Sequence, residues 1–231
     1  MTNPDLVEGL KWYLVFLGST TVHEAAHAWS AWKLGDDTAA RGGQVSLDPT
    51  PHIRRAPWGM VVVPLLSWLL GGRLIGWASA PYDPVWAQKN PSRAALMALA
   101  GPAANLLLVL LGALLLHVGL EWNFFQQGSA WSSAHLVMAQ KDGLTEFAAT
   151  MLSITVSLNL LLACFNLLPL PPLDGASLPL LLLPRRVMPR YFELLHHPAV
   201  SGIGLLLAWQ FFGELFDPIR AGALKLLGLG F

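Results

Sequence analysis

Long apolar runs alternate with short polar connections along this chain. Four runs approach or exceed the roughly 20 residues that a helix needs to cross a bilayer: 10–32, 93–120, 147–168 and, marginally, 200–216. The second is interrupted only by Gly101-Pro102, and the third ends in a proline cluster. Two further apolar pieces, 178–183 and 221–231, are too short to span and read as interfacial or packed against the bundle. Residues 58–77 are apolar but broken by Pro64, Gly71, Gly72 and Arg73. They read as a short helix over 57–70 with an extended return through 76–84. Non-helical backbone at membrane depth is tolerated where protein buries it or it lines a wet cavity. The pattern predicts an all-α polytopic membrane protein. It is a helical bundle of about four spans, with one re-entrant helix and extended segment and short interfacial helices, in a single domain over residues 1–231.

Composition agrees with a membrane setting. Hydrophobic residues make up 54% of the 231 and charged residues only 12%, against about 25% in soluble domains. Ten tryptophans suit interfacial belts. The formal net charge is zero, which points away from a nucleic-acid partner. A single cysteine, Cys164, excludes an internal disulfide. The polar, acidic stretch 1–8 lacks the basic start of a signal peptide, so residues 10–32 are not expected to be cleaved.

The chemistry sits inside the first run, at His23-Glu24-Ala25-Ala26-His27. On a helix, residues four apart share a face, so both imidazoles reach one ion. The spacing gives zinc two nitrogen ligands and sets Glu24 where it can take a proton from a water on the metal. Two histidines and a glutamate are costly at membrane depth, and such residues there are functional by default. A hydrolytic zinc keeps three protein ligands and one open position. The candidate for the third ligand is Asp174, in Asn166-Leu-Leu-Pro169-Leu-Pro171-Pro172-Leu173-Asp174-Gly175. Its prolines stop the helix, and Gly175 permits the tight backbone that would aim the carboxylate inward.

Both halves of this site must lie at one depth, which requires 58–77 to enter and leave on the same side. The positive-inside rule gives the same topology. Lys33, Arg41, Arg54, Arg55, Arg73, Lys89, Arg93, Arg185, Arg186 and Arg190 fall on the side that receives the end of the first run. Lys11, Lys141, Arg220 and Lys225 fall on the other. The first side is then cytoplasm, with the N-terminus and the 121–143 loop outside.

Taken in order, the His23–His27 motif, Gly101-Pro102-Ala103-Ala104-Asn105, and Asn166…Leu173-Asp174-Gly175 resemble the site-2 protease family of intramembrane zinc metalloproteases. Gly42-Gly43-Gln44-Val45-Ser46-Leu47-Asp48-Pro49 with His52-Ile53, and Gly76-Trp77-Ala78 with Pro81, resemble loops of its compact bacterial and archaeal members. The resemblance implies one zinc ion per chain held by His23, His27 and Asp174, with Glu24 as general base and Asn166 near the substrate or its oxyanion. It implies an endopeptidase acting in regulated intramembrane proteolysis. Such an enzyme cuts transmembrane segments of protein substrates near the cytoplasmic face of a bacterial or archaeal cell membrane. The chain lacks the PDZ and CBS domains of some relatives. It departs from the family pattern at Arg54-Arg55, Ser79 and Asp83, positions that bear on substrate handling and leave the zinc set intact.

The remaining candidates have a plain structural role beside a functional one. Asn105 is expected to hydrogen-bond across helices and brace a zinc ligand. Asn166 either meets substrate or ties up carbonyls freed by the prolines. His52 is expected at the interface or behind the ligands. The competing reading is a non-proteolytic membrane zinc-binding regulator or transporter. A transporter should show ligands along a path and repeated halves, and neither is evident.

Overall fold

The computed structural model describes residues 5–128 and 132–229, so the extreme tips of the 1–8 and 221–231 stretches lie outside the described residues. The first helix, α1 (Leu6–Leu34), is capped at both ends. The Asp5 carboxylate accepts from the amides of Val7 and Glu8, and Gly35 takes the left-handed conformation that closes a helix C-terminus. Between the caps, Ser19, Thr20, Thr21, His23, Glu24 and His27 are all buried. Thr20 and Thr21 donate to carbonyls of their own helix, at Phe16 and Leu17. Ser19 and the two histidines instead meet groups on other elements.

Two short helices follow, α2 (Thr38–Arg41) and α3 (Pro49–Arg55). Asp48 caps α3 by accepting from the Thr50 amide at 2.8 Å. The Thr50 hydrogen bonds hold its carboxyl below the usual carboxylate range. Next comes a π-helical turn, Trp58–Val62, running into α4 (Val63–Gly71). This helix climbs toward the start of α1, where the Trp68 indole donates to the Asp5 carbonyl at 3.2 Å. Gly72, left-handed, ends it. The chain then doubles back without regular structure. The Trp77 amide donates to the Gly59 carbonyl at 3.0 Å, and the Asp83 amide to the Asp36 carboxylate at 2.9 Å, past the far end of α1. The helix and extended return read from the sequence are therefore both present, and the segment begins and ends near the same end of α1.

After α5 (Pro84–Lys89), α6 (Pro91–Glu121) forms the centre of the molecule, packed against both α1 and the later α7. Gly101-Pro102 does not interrupt it. A proline forfeits one hydrogen bond, to the carbonyl four residues back, and packing on both sides holds the remaining turns. Small residues make close packing possible: Ala94, Ala95, Ala98, Gly101, Gly112 and Ala113 are all buried. A loop carrying a two-stranded antiparallel ribbon, β1 (Phe125–Gln127) with β2 (Val137–Ala139), leads to α7 (Leu144–Asn166). Phe125 covers Gly119 and joins Leu116, Val137 and Val156 in one apolar cluster.

A 3-10 stretch, Asp174–Leu181, precedes α8 (Met188–Leu195) and α9 (Pro198–Leu226). α8 is a tie between two segments. The Tyr191 hydroxyl donates to the Ala176 carbonyl at 2.7 Å, beside Asp174. Just past its end, the His196 ring donates from Nδ1 to the Phe192 carbonyl, which leaves Nε2 to accept from the Tyr82 hydroxyl at 2.7 Å. α9 differs from the expectation of two separate pieces. It continues through Pro218 to Leu226, because the proline costs one hydrogen bond and the residues after it favour helix.

Among the described residues, three helices are long and apolar enough to cross a membrane: α6, α7 and α9. α1 equals α9 in length, at 29 residues, but its buried polar face lowers its hydropathy.

α9 touches the proline turn before Asp174. A Cβ at Gly204 would overlap the Pro171 carbonyl, whereas one at Gly202 meets nothing within 4 Å. Gly204→Val is therefore expected to destabilise the protein by about 1–3 kcal/mol, the cost of overpacking. Gly202→Val should be near neutral. Thermal unfolding of both variants in detergent checks this.

Candidate metal centre

His23 and His27 lie one turn apart on α1 and face α6. Their Nε2 atoms stand 3.0 Å apart. Asp174 Oδ2 lies 3.3 Å from each of them. Two atoms bound at about 2.0–2.1 Å to one tetrahedral zinc stand about 3.3 Å apart, so the triangle has the size that such an ion requires.

The protonation of both rings follows from their outer nitrogens. His27 Nδ1 lies 2.8 Å from the Met97 carbonyl, which only accepts, so Nδ1 carries a proton and, in the neutral ring that binds a metal, Nε2 has the lone pair. His23 Nδ1 lies 2.5 Å from Asn105 Oδ1 and donates to it, so its Nε2 also carries a lone pair. Two lone pairs and a carboxylate oxygen thus converge on one point. Asp174 Oδ2 is buried and has no hydrogen-bond partner among the described residues. An arrangement of three electron donors repels itself unless a cation sits among them, and this donor set, two imidazoles and one carboxylate, is one that zinc accepts.

Two glycines open the space. A Cβ at Gly101 would overlap both imidazoles, so the α6 backbone can approach them only as glycine. The Gly101-Pro102 pair that interrupts the apolar run in the sequence is thus the place where α6 meets the histidine rings. At Gly175 a Cβ would overlap the Leu167 carbonyl, so glycine lets the turn fold back onto the end of α7. The loop before it is closed by the Leu170 and Leu173 amides, which donate to the Leu168 and Leu170 carbonyls.

Glu24 is buried on the same helix, and its Oε2 has no hydrogen-bond partner among the described residues. Asn105 is fully buried. It joins His23 to Asn159, donating from Nδ2 to Asn159 Oδ1 at 2.7 Å. Asn166 and His52 lie outside this cluster. Asn166 Nδ2 donates to the Leu162 carbonyl of its own helix at 3.0 Å, the carbonyl-tying alternative. His52, 1% exposed, donates from Nε2 to the Ser46 carbonyl at 3.0 Å and closes the loop after α2.

Asn159, Ser19 and the Met97 carbonyl were not singled out from sequence. Only Asn159 carried a signal: an amide in the middle of an apolar run is expensive and needs a partner.

Comparison with known proteins identifies the family. The chain is 37% identical over 166 residues to the Bacillus subtilis protein YwhC, provisionally named a zinc metalloprotease; the match covers 71% of this chain and 65% of that one. It is 33% identical over 163 residues to Rip2 of Mycolicibacterium smegmatis, which carries the same provisional description, covering 69% of this chain and 52% of that one. Rip2 of Mycobacterium tuberculosis is 37% identical over 97 residues, 42% of this chain and 36% of that one. The chain thus spans less than two thirds of the curated relatives it matches. No solved structure matches it. A family model described as Peptidase family M50 matches residues 12–208, a stretch that takes in His23, His27, Asn105, Asn159 and Asp174, and the chain belongs to that family, the site-2 proteases.

Proposed function

We propose that this protein is an intramembrane zinc endopeptidase, multi-pass in the cell membrane, that cuts transmembrane segments of protein substrates near the cytoplasmic face. The observation that carries the reading is the convergence of His23 Nε2, His27 Nε2 and Asp174 Oδ2, beside helices apolar enough to cross a bilayer. These three residues would hold one zinc ion per chain and leave a position open. When bound, the ion supplies an acidified water and a Lewis acid for the scissile carbonyl.

The chain's own residues have separable tasks. Glu24, buried and with a free carboxylate oxygen, accepts the proton of the attacking water and passes it to the leaving amine. Asn105 and the Met97 carbonyl keep the imidazoles turned toward the metal position. A helical substrate hides its amides, so the segment to be cut must first extend. Among the described residues, the amides of Val45, Ser46 and Leu47 find no backbone acceptor. An apolar groove between these residues and Val22, Ala26 and Trp29 of α1 offers such a segment a place to lie.

Glu24→Gln keeps the three ligands and removes the base. Purified variant should retain about one zinc per chain while cleavage of a transmembrane test substrate falls by about 10²–10⁴. Near wild-type cleavage would refute the mechanism. Asp174→Asn exchanges an anionic ligand for a neutral one, and the variant should lose its zinc to a chelator concentration that leaves wild type loaded; equal retention removes Asp174 from the ligand set. The topology is tested with single cysteines in a Cys164→Ser background. On intact cells a membrane-impermeant thiol reagent should label positions 127 and 141 and spare 54, 89 and 186. Labelling at 89 with 54 spared would make the Trp58–Gly71 segment a span and break the proposed site in two.

A further inference from the structure

The His23 ring is held at the end of a chain of hydrogen bonds whose direction is set elsewhere. Asn159 Nδ2 donates to the Thr155 carbonyl at 2.8 Å and to Ser19 Oγ at 2.9 Å. A backbone carbonyl can only accept, so the Asn159 amide cannot turn over without setting its own oxygen against the Thr155 oxygen. Asn159 Oδ1 must then face Asn105 and accept from Asn105 Nδ2. With its nitrogen so committed, Asn105 can present only its oxygen to His23. That oxygen demands the Nδ1–H form, which leaves the Nε2 lone pair facing Asp174. Asn105, Asn159 and Ser19 are all buried, so water is not available to substitute for a missing partner. His27 reaches the same state by a shorter route, directly from the Met97 carbonyl.

We propose that Asn159 is a positioning residue for the metal centre: anchored by the Thr155 carbonyl, it fixes the orientation of the Asn105 amide and through it the tautomer of His23, without touching the metal position itself. The inference rests on the reading of His23 as a ligand. The two histidines differ in a way that makes it testable, since only His23 depends on Asn159. In Asn159→Leu the Asn105 amide is free to turn. Its nitrogen can then face His23, favouring a ring protonated at Nε2, where the metal would bind. Asn159→Asp, as the neutral acid expected at a fully buried position, keeps an acceptor oxygen toward Asn105 and an O–H toward the Thr155 carbonyl, and so keeps the relay's direction.

The test uses full-length protein in detergent with ¹⁵N-labelled histidine. Imidazole nitrogen shifts in the metal-free state, read at a pH high enough for both rings to be neutral, report each tautomer, and competition with a chelator reports the zinc Kd. Asn159→Leu should convert His23 partly to the Nε2–H form, leave His27 as in wild type, and weaken zinc binding by about 10–100-fold, the range typical of lost support behind a ligand. Asn159→Asp should keep the wild-type tautomers and a Kd within about threefold of wild type, far inside that range. The proposal is overturned if His23 stays Nδ1–H in Asn159→Leu with zinc affinity unchanged. It is equally overturned if His23 and His27 shift together, which would mean general loosening. If Asn159→Leu does not fold, the aspartate variant decides: loss of the His23 tautomer there, with the fold intact, also refutes the relay. Failure of wild-type protein to bind zinc would instead refute the metalloprotease reading, whatever the tautomers show.

Discussion

Three electron-donating atoms brought together inside an apolar bundle have to be paid for, and the rest of the structure can be read as the means. A carboxylate and two imidazole lone pairs within 3.3 Å of one another repel unless a cation joins them. The rings must also be kept from turning over, since either one reversed would place a proton where the cation belongs. Each ring is therefore locked from behind by an acceptor on α6: the Met97 carbonyl for His27 and the Asn105 amide oxygen for His23. These locks work only because α6 runs close to α1, and Gly101 is what allows the approach.

α6 thus serves as the reference element. It carries the supports for both histidines, and it packs on α7, which delivers Asn159 from one side and, past its C-terminus, the Asp174 turn. Its small buried residues act as seats. Gly101 receives the imidazoles, Gly112 the Val156 side chain and Gly119 the Phe125 ring. In a bilayer, where lipid is as apolar as leucine, such fit and a few buried hydrogen bonds supply most of what holds helices together.

Much of this was legible in the sequence. His23, Glu24 and His27 stand out because polar groups are costly in an apolar run, and their spacing puts them on one turn. Asp174 is visible because prolines halt α7 and a glycine follows the acid. The doubling back of 58–83 followed from Pro64 and the glycines together with the need to bring both halves of the site to one depth. Asn159 was hidden for a physical reason: its meaning comes from Asn105, 54 positions away, and no local spacing announces the pair. His52 and Asn166 could be noticed but not interpreted. A buried histidine or amide can satisfy a nearby carbonyl as readily as a ligand, and only coordinates reveal Ser46 and Leu162 as the partners. The length of α9 was missed because the apolar runs 200–216 and 221–231 are parted by Asp217-Pro218-Ile219-Arg220, and a break in hydropathy is not a break in the helix.

Helix α8 contributes no group to the metal centre, yet it is bonded to both sides of it. Through Tyr191 it grips the Ala176 carbonyl, two residues past Asp174, and through His196 it grips Tyr82 at the foot of the returning segment. Those two segments are far apart in sequence, and both also rest on α6. With α8 between them they form a yoke. Two short hydrogen bonds and a turn and a half of helix thus join the returning segment directly to the backbone beside the carboxylate.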